Sequence, residues 1–286
     1  MAFVFPAVTS AMLTRKTPRD PLGVFFCACL LLLSLFSPAP ALADCVLGEA
    51  DELVALKKVV DGDTLRLKDG RRIRLIGVNT PELAHGQRRA QPLAEEAREF
   101  VQRFLSGGDL ELVYDRDRRD NHGRVLAHVY NHRGDSLESA LLSAGLAFHI
   151  AVAPNLALAE CLSSREEEAR EQQRGVWAPG VWPVMPAEHI RKGDGGFVLL
   201  SGIIEKIHPE KIRPNRTIWL DLDGPVALRI NPKAIPRYEH VKNWRGDKVL
   251  VRGWLVDRGE KYVKKNPGHK RWFMTVDSMQ TLEFVR

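Results

Sequence analysis

The sequence predicts an α+β protein made of two small closed β-barrels in tandem, the first packed against three helices. Three observations carry this. Short β-rich runs, bounded by Gly, Pro, Asn and Asp, fall into two groups of five. Amphipathic helical periodicity appears within and after the first group. The 286 residues are 44% apolar and 27% charged, a globular balance that excludes fibrous and disordered chains. At roughly 100–200 residues per domain, the length allows two small domains or one large one.

Residues 1–43 stand apart. Arg15, Lys16 and Arg19 form a basic start, and Gly23 to Phe36 is an apolar run too short to span a membrane comfortably. Ser37 to Ala43 breaks any helix and ends in Ala-x-Ala, so residues 1–43 are expected to be a cleaved signal peptide. The competing reading is a retained anchor. Lipid attachment is disfavoured because acidic Asp44 precedes Cys45. Cleavage leaves Cys45 and Cys161, and two cysteines in an exported chain predict one disulfide, against two independent thiols. Without CxxC, HExxH or a Cys/His cluster, the sequence argues against structural zinc.

In the first group, Leu53 to Val60 and Thr64 to Lys68 read as strands. Asp69-Gly70 is a two-residue hairpin turn, and Arg72 to Ile76 returns from it. Pro92 suits a helix first turn, Leu93, Ala97, Phe100, Val101, Phe104 and Leu105 share one face, and Gly107-Gly108 stops the helix. Leu110 to Tyr114 and Val125 to Tyr130 are the fourth and fifth strands. Helices over Ser136 to Ala144 and Leu156 to Arg174 follow, each closed by glycine. Glu166-Glu167-Glu168 reads as a solvated helix face.

Charge divides the chain. Residues 44–190 carry 19 Lys+Arg against 24 Asp+Glu, whereas residues 191–286 carry 20 against 11. Between them, Pro179 to Pro186 and Lys192 to Gly196 are rich in Pro and Gly, which reads as a linker with a boundary near residue 190. The second part holds Val198 to Ile207, Thr217 to Asp223, Val226 to Ile230, Lys248 to Val256 and Phe273 to Phe284 as strands, with turns or a short helix over Pro232 to His240. A five-strand set with a long connection after the third suggests an oligonucleotide-binding (OB)-like barrel. In the run Lys261 to Trp272, cations interleave with Tyr262 and Trp272, which suits phosphate contact and base stacking on single strands or, more plainly, a solvated hairpin tip. The formal charge of +6 favours polyanionic partners.

Chemistry concentrates in Val60-Asp61-Gly62-Asp63-Thr64, in Arg74 to Glu82 (RLIGVNTPE) and in Asp120-Asn121-His122-Gly123-Arg124. Asp63, Asn79 and a carbonyl near Thr80 are oxygen ligands suited to a hard cation. Glu82 is a carboxylate at a loop corner, and Arg74 and Arg124 are guanidiniums on strands. Phosphodiester hydrolysis needs such a set: positive groups to offset charge on phosphate and a carboxylate to orient or deprotonate water. Singly, each piece has a plain reading as a turn, a helix cap or a solvated charge. Asp61 reads as turn support, and His85 and His122 as surface histidines near the motifs.

In combination, VVDGDTLRL, RLIGVNTPE and DNHGRVLAHVY, with LLSAGLA and RGVWA as lesser support, resemble the staphylococcal nuclease family over about residues 52–180. The resemblance implies a five-stranded OB-type barrel with three helices, hydrolysis of DNA and RNA, a calcium ion and 3′-phosphate products. It implies Asp63 as a calcium ligand, Thr80 as a carbonyl ligand, Glu82 as the water-activating group, and Arg74 and Arg124 as phosphate clamps. Asn79 stands where the family places aspartate, which lowers the charge offered to calcium. The expectation is an exported calcium-dependent nuclease acting on DNA or RNA, single strands favoured, with a basic C-terminal module. The alternative is a two-barrel nucleic-acid-binding protein with a weakened catalytic centre.

Overall fold

The computed structural model describes residues 45–86, 88–209, 216–231, 234 and 238–285. The signal-peptide reading of residues 1–43 lies outside them, as does much of the Pro232 to His240 segment. The first barrel is built from β1 (Glu52–Val54), β2 (Leu56–Val59), β3 (Thr64–Leu67), β4 (Arg72–Leu75), β6 (Leu110–Val113) and β7 (Val125–Tyr130), with a short ribbon strand, β5 (Val78–Asn79), after β4. The strand expected over Leu53 to Val60 is interrupted at Ala55. Its two halves bend apart, so β1 pairs with β6 while β2 pairs with β3. That bend closes the sheet, because one continuous run borders both edges. The order is β1-β6-β7-β4-β3-β2, and β4 lies parallel to β7.

Helices α1 (Ala94–Phe104), α2 (Leu137–Ser143) and α3 (Ala159–Glu171) pack against this barrel. Helix α2 is capped by Ser136, whose hydroxyl accepts from Ser139 N–H. The core gathers Leu65, Leu67, Ile73 and Leu75 from the strands with Val101, Leu137, Leu141 and Leu162 from the helices. The turns that end α2 and α3 meet at Gly145 and Gly175. A Cβ on Gly175 would lie 2.0 Å from the Gly145 carbonyl oxygen, so only bare backbone lets Val176 N–H reach that oxygen at 2.8 Å. Cys45 and Cys161 form a disulfide across 116 residues, which ties the start of the described chain to α3.

The second barrel comprises β10 (Gly196–His208), β11 (Ile218–Leu222), β12 (Val226–Ile230), β13 (Lys248–Asp257) and β14 (Trp272–Val276). Pairings β10–β11, β11–β12, β12–β14, β14–β13 and β13–β10 make a closed ring, with β12 and β14 parallel. This is the connectivity of the first barrel, so both are OB-type. The strand expected over Phe273 to Phe284 breaks into β14 and β15 (Leu282–Val285), because Ser278 caps a turn at Met279–Thr281 and redirects the chain onto the far end of β13. The Pro- and Gly-rich stretch read as a linker is built into this sheet: β9 (Val184–Pro186) pairs in parallel with β10, and Ala187 and Ile190 enter the second core.

From Cys45 on, the described residues form one compact unit. A third apolar cluster joins the two barrels, with Phe148 at its centre. The Phe148 ring meets Trp177, Trp182 and Phe197 at centroid distances of 5.2, 4.9 and 5.1 Å. Phe148 and His149 form the short strand β8, which pairs with β5.

Beside this cluster the charged reading of α3 is corrected. Glu166 does not face solvent; it is 2% exposed and paired with Arg252 of β13. Glu166 also accepts from His149 N–H at 2.6 Å, and Arg252 Nε donates to the His149 carbonyl at 3.0 Å. Glu283 accepts from Arg252 at 3.2 Å and from both Arg170 Nη atoms at 2.6 and 2.9 Å. Burial pushes the Glu166 carboxyl up, and the Arg252 charge opposes this. Removing one member of such a pair strands the other in apolar surroundings. Arg252→Met is expected to cost about 3–5 kcal/mol by urea unfolding, and the double change Arg252→Met with Glu166→Leu to recover most of it.

His149 gives a pH prediction. Its ring is fully buried, and neither ring nitrogen has a hydrogen-bond partner among the described residues. Burial, with the Arg252 charge adding, pushes the imidazole down to about 3. Unfolded, it titrates near 6.5. Between those values the unfolded chain holds the extra proton, so acidification destabilises the fold by up to about 1.4 kcal/mol per pH unit at this site. The His149→Leu variant is expected to lose less stability than the parent between pH 7 and pH 5, read from urea midpoints at both pH values.

Candidate active site

The hairpin β3–β4 places Thr64 opposite Arg74, which brings Asp63 beside the Arg74 guanidinium. Both side chains are buried, and Arg74 Nε lies 3.3 Å from Asp63 Oδ1. The same guanidinium donates to the Leu75 and Val78 carbonyls at 2.6 and 2.8 Å and to Asn79 Oδ1 at 3.3 Å. Arg74 is thus held at the turn from β4 into β5 and fixes that turn in place. Asp63 accepts from the Thr80 N–H at 2.9 Å, the Thr80 hydroxyl at 3.2 Å and the Thr64 hydroxyl at 3.1 Å. The two loops approach so closely that a Cβ on Gly62 would fall 2.7 Å from the Thr80 side chain. Glycine there permits the Asp63–Thr80 contacts.

Four of the six residues expected to form the site, Asp63, Arg74, Asn79 and Thr80, therefore make one buried knot. Asn79 presents its amide oxygen to Arg74. Glu82 follows on an exposed loop, with its N–H donating to Gln91 Oε1 at 2.7 Å and its carbonyl accepting from Gln91 N–H at 2.9 Å. Partial desolvation, then the Asp63 charge, raises the Glu82 carboxyl, while Arg74, Arg124 and Arg88 pull it down. Glu82 thus lies within electrostatic reach of Asp63, Arg74 and Arg124. Asp61 accepts from Asp63 N–H at 3.1 Å, and burial followed by the Asp63 charge pushes its carboxyl up to about 6.

Arg124 opens β7 across a groove of about 280 Å³ that Arg74 also lines. Its Nε donates to Asp120 Oδ2 at 2.6 Å, while its own N–H and that of His122 donate to Asp120 Oδ1, both at 2.9 Å. Burial alone would raise the Asp120 carboxyl; these hydrogen bonds hold it below the usual range. His85 and His122 are exposed. Sequence reasoning missed two supports, Asp120 and Gln91. Asp120 carries a signal, an acidic residue opening an Asx turn four residues before an arginine. Gln91 has none, because its link to Glu82 spans nine residues of loop.

Among the described residues, no three His, Cys, Asp or Glu side chains form a metal-binding cluster. The atoms that the three expected ligand residues would offer are all oxygen: the Asp63 carboxylate, the Asn79 amide and the Thr80 carbonyl. Burial first and the Asp63 charge second raise the Asp61 and Glu82 carboxyls, so three carboxylates stand close together there. The set suits a hard cation that completes its shell with water and substrate oxygens, and it does not suit a thiophilic metal.

The buried knot, an exposed carboxylate of raised pKa and two guanidiniums on one groove can together bind a phosphodiester and activate water. The sequence profile described as staphylococcal nuclease homologue matches residues 72–179. A thermonuclease of Staphylococcus intermedius is 35% identical over 130 residues, covering 44% of this chain and 76% of that protein. A thermonuclease of Staphylococcus hyicus is 32% identical over 124 residues, 42% of this chain and 73% of its own length. Endonuclease YncB of Bacillus subtilis is 34% identical over 130 residues, 44% of this chain and 61% of that protein. The residues matched by the profile run from β4 through α3, within the first barrel and its helices, and the chain belongs to the staphylococcal nuclease family.

Proposed function

We propose that this chain is an exported nuclease that hydrolyses phosphodiester bonds of DNA or RNA with calcium and leaves 3′-phosphate ends. The observation that carries the reading is the Arg74 knot: one guanidinium joins Asp63 and Asn79 and lines the same groove as Arg124, within reach of the Glu82 charge. Residues 44–190 would form the catalytic part and residues 191–286 a basic module favouring single strands. Export is supported by the N-terminal apolar run and by the Cys45–Cys161 disulfide, which persists in oxidising compartments.

Glu82 orients and deprotonates the attacking water; its raised carboxyl is a better base than an ordinary glutamate. Water attacks phosphorus as its proton passes to Glu82, the P–O5′ bond breaks, the 5′ oxygen leaves and takes a proton from solvent, and the 3′ oxygen keeps the phosphate. Arg124, oriented by Asp120, faces the charge that develops on the non-bridging oxygens. Arg74 shapes the Asn79–Thr80 turn and adds positive charge to the groove. Asp63, Asn79 and Thr80 would hold calcium, which when bound supplies Lewis-acid charge stabilisation at the phosphate. A protein that only bound nucleic acid would gain nothing from an exposed carboxylate beside its phosphate site, which argues against the binding-only alternative.

Glu82→Gln, Arg74→Ala and Arg124→Ala are each expected to lower the cleavage rate of single-stranded DNA by about 100-fold or more, roughly 2.7 kcal/mol of transition-state stabilisation. Near-parental rates in all three would defeat the reading. Product analysis is expected to show 3′-phosphate ends in calcium and no cleavage with chelator.

Asn79 adds a separate outcome. Only Asp63 among the three donors brings a full negative charge, so calcium affinity is expected near the weak end of the range for oxygen sites. The Asn79→Asp variant is expected to lower the calcium concentration for half-maximal activity, with little change at saturation. An unchanged half-saturation point in a calcium titration would assign Asn79 to the Arg74 contact alone.

A further inference from the structure

We infer that the second barrel carries its own binding site for single-stranded nucleic acid, a cavity that seats one nucleotide of a strand over β11 and β12. The inference deepens the nuclease reading by assigning this surface to the same class of substrate. The cavity holds about 450 Å³, inside the roughly 300–1,000 Å³ typical of ligand sites. It lies beneath the connection from β13 to β14, which contains helix α4 (Glu260–Lys265). In an OB-type barrel this is the face of the second and third strands under the loop between the fourth and fifth, where oligonucleotides bind.

Its chemistry supports one occupant. Arg258, Lys206 and Lys270 line it with His208 and His269, and Asp221 is the acidic residue among the lining groups. Asp221 is engaged by His208 Nε2 at 3.1 Å. Lys270 is engaged by the Leu222 and Gly224 carbonyls at 2.8 and 2.6 Å, so it shapes the wall. Arg258 is held by rings: its guanidinium carbon sits 4.5 Å from the Trp219 centroid, 4.6 Å from Phe273 and 4.8 Å from Tyr262. Its Nη1 donates to the Tyr262 hydroxyl at 3.2 Å, and that hydroxyl meets His269 Nδ1 at 2.9 Å. A guanidinium stacked on rings keeps planar N–H donors for a phosphate, which is how cations and aromatics cooperate on single strands. A duplex keeps its bases stacked and paired, so its nucleotides do not enter a pocket of this size. An acidic peptide would meet the cations but brings no planar base to set beside the Trp219 and Tyr262 rings that line the cavity with Arg258.

The test uses the full chain in chelator, so that binding is read without cleavage, with fluorescein-labelled oligothymidylate of about 20 nucleotides followed by anisotropy. Arg258→Ala and Trp219→Leu are each expected to weaken binding about 5- to 20-fold. Lys206→Gln, a change at an exposed strand position, is expected to weaken it about 2- to 5-fold and to reduce the salt slope by about 0.7. The same sequence as a duplex is expected to show no dependence on Arg258. Unchanged affinity and salt slope in Lys206→Gln, together with unchanged affinity in whichever ring or arginine variants keep the parental circular dichroism, would overturn the inference. So would displacement of the strand by polyglutamate at equal charge concentration, which would assign the cavity to acidic peptides. Cleavage of the same strand in calcium is measured separately: a chain that fails to cleave but binds in an Arg258-dependent way loses the nuclease reading and keeps the cavity.

Discussion

The ion pair between Glu166 and Arg252 is the constraint on which the arrangement of the molecule depends. A buried carboxylate needs a counter-charge and hydrogen-bond donors, and Glu166 draws one from each barrel: the Arg252 guanidinium and the His149 N–H. The His149 backbone is therefore gripped at both its N–H and its carbonyl. Strand β8 cannot shift without breaking a charged contact, and Phe148 is held where four aromatic rings converge. The two barrels consequently share a core instead of sitting at the ends of a tether.

That brace reaches the chemistry in two steps. β8 pairs with β5, so the gripped His149 lies opposite Val78 and Phe148 lies opposite Asn79. From the other side, Arg74 ties the Val78 carbonyl and the Asn79 amide to Asp63. The turn that carries Asn79 and Thr80 is thus clamped between the second barrel and the first hairpin. A site that must hold oxygen atoms in fixed positions gains from such support, because ligands on an unbraced loop drift by more than their geometry tolerates. The basic module has a structural reason to stay attached, beside whatever it binds.

Much of the fold was legible in the residues. Alternating runs, Asp69-Gly70, Ser136 and the glycine stops mark most elements to within a few residues, since these signals are local in sequence. Two strands were drawn too long for one reason: Leu53 to Val60 and Phe273 to Phe284 keep their β-rich character through a bend that only closure of each barrel imposes. The stretch around residue 185 looked like a linker because three prolines mark it, yet it needs few ladder bonds at a sheet edge and so pairs in parallel with β10. Within the candidate site, Asp63, Arg74, Asn79, Thr80, Glu82 and Arg124 were readable as motifs, because spacing along a hairpin and its turns survives in the chain order. Gln91 was not, since its partner is set by the path of a loop.

By itself the sequence determined the order of elements, the family, the oxygen-rich donor set and the basic charge of the last third, because each is a property of composition or of neighbours in the chain. Tertiary structure alone decided that Glu166 is buried while Glu167 beside it is not, that Arg252 neutralises it, and that Arg258 stacks against Trp219, Tyr262 and Phe273. Both arginines sit on an alternating or loop segment where the pattern permits solvent or partner equally. The choice between them is made by which surfaces two closed barrels bring together, and a charge is buried only where a distant segment supplies its complement.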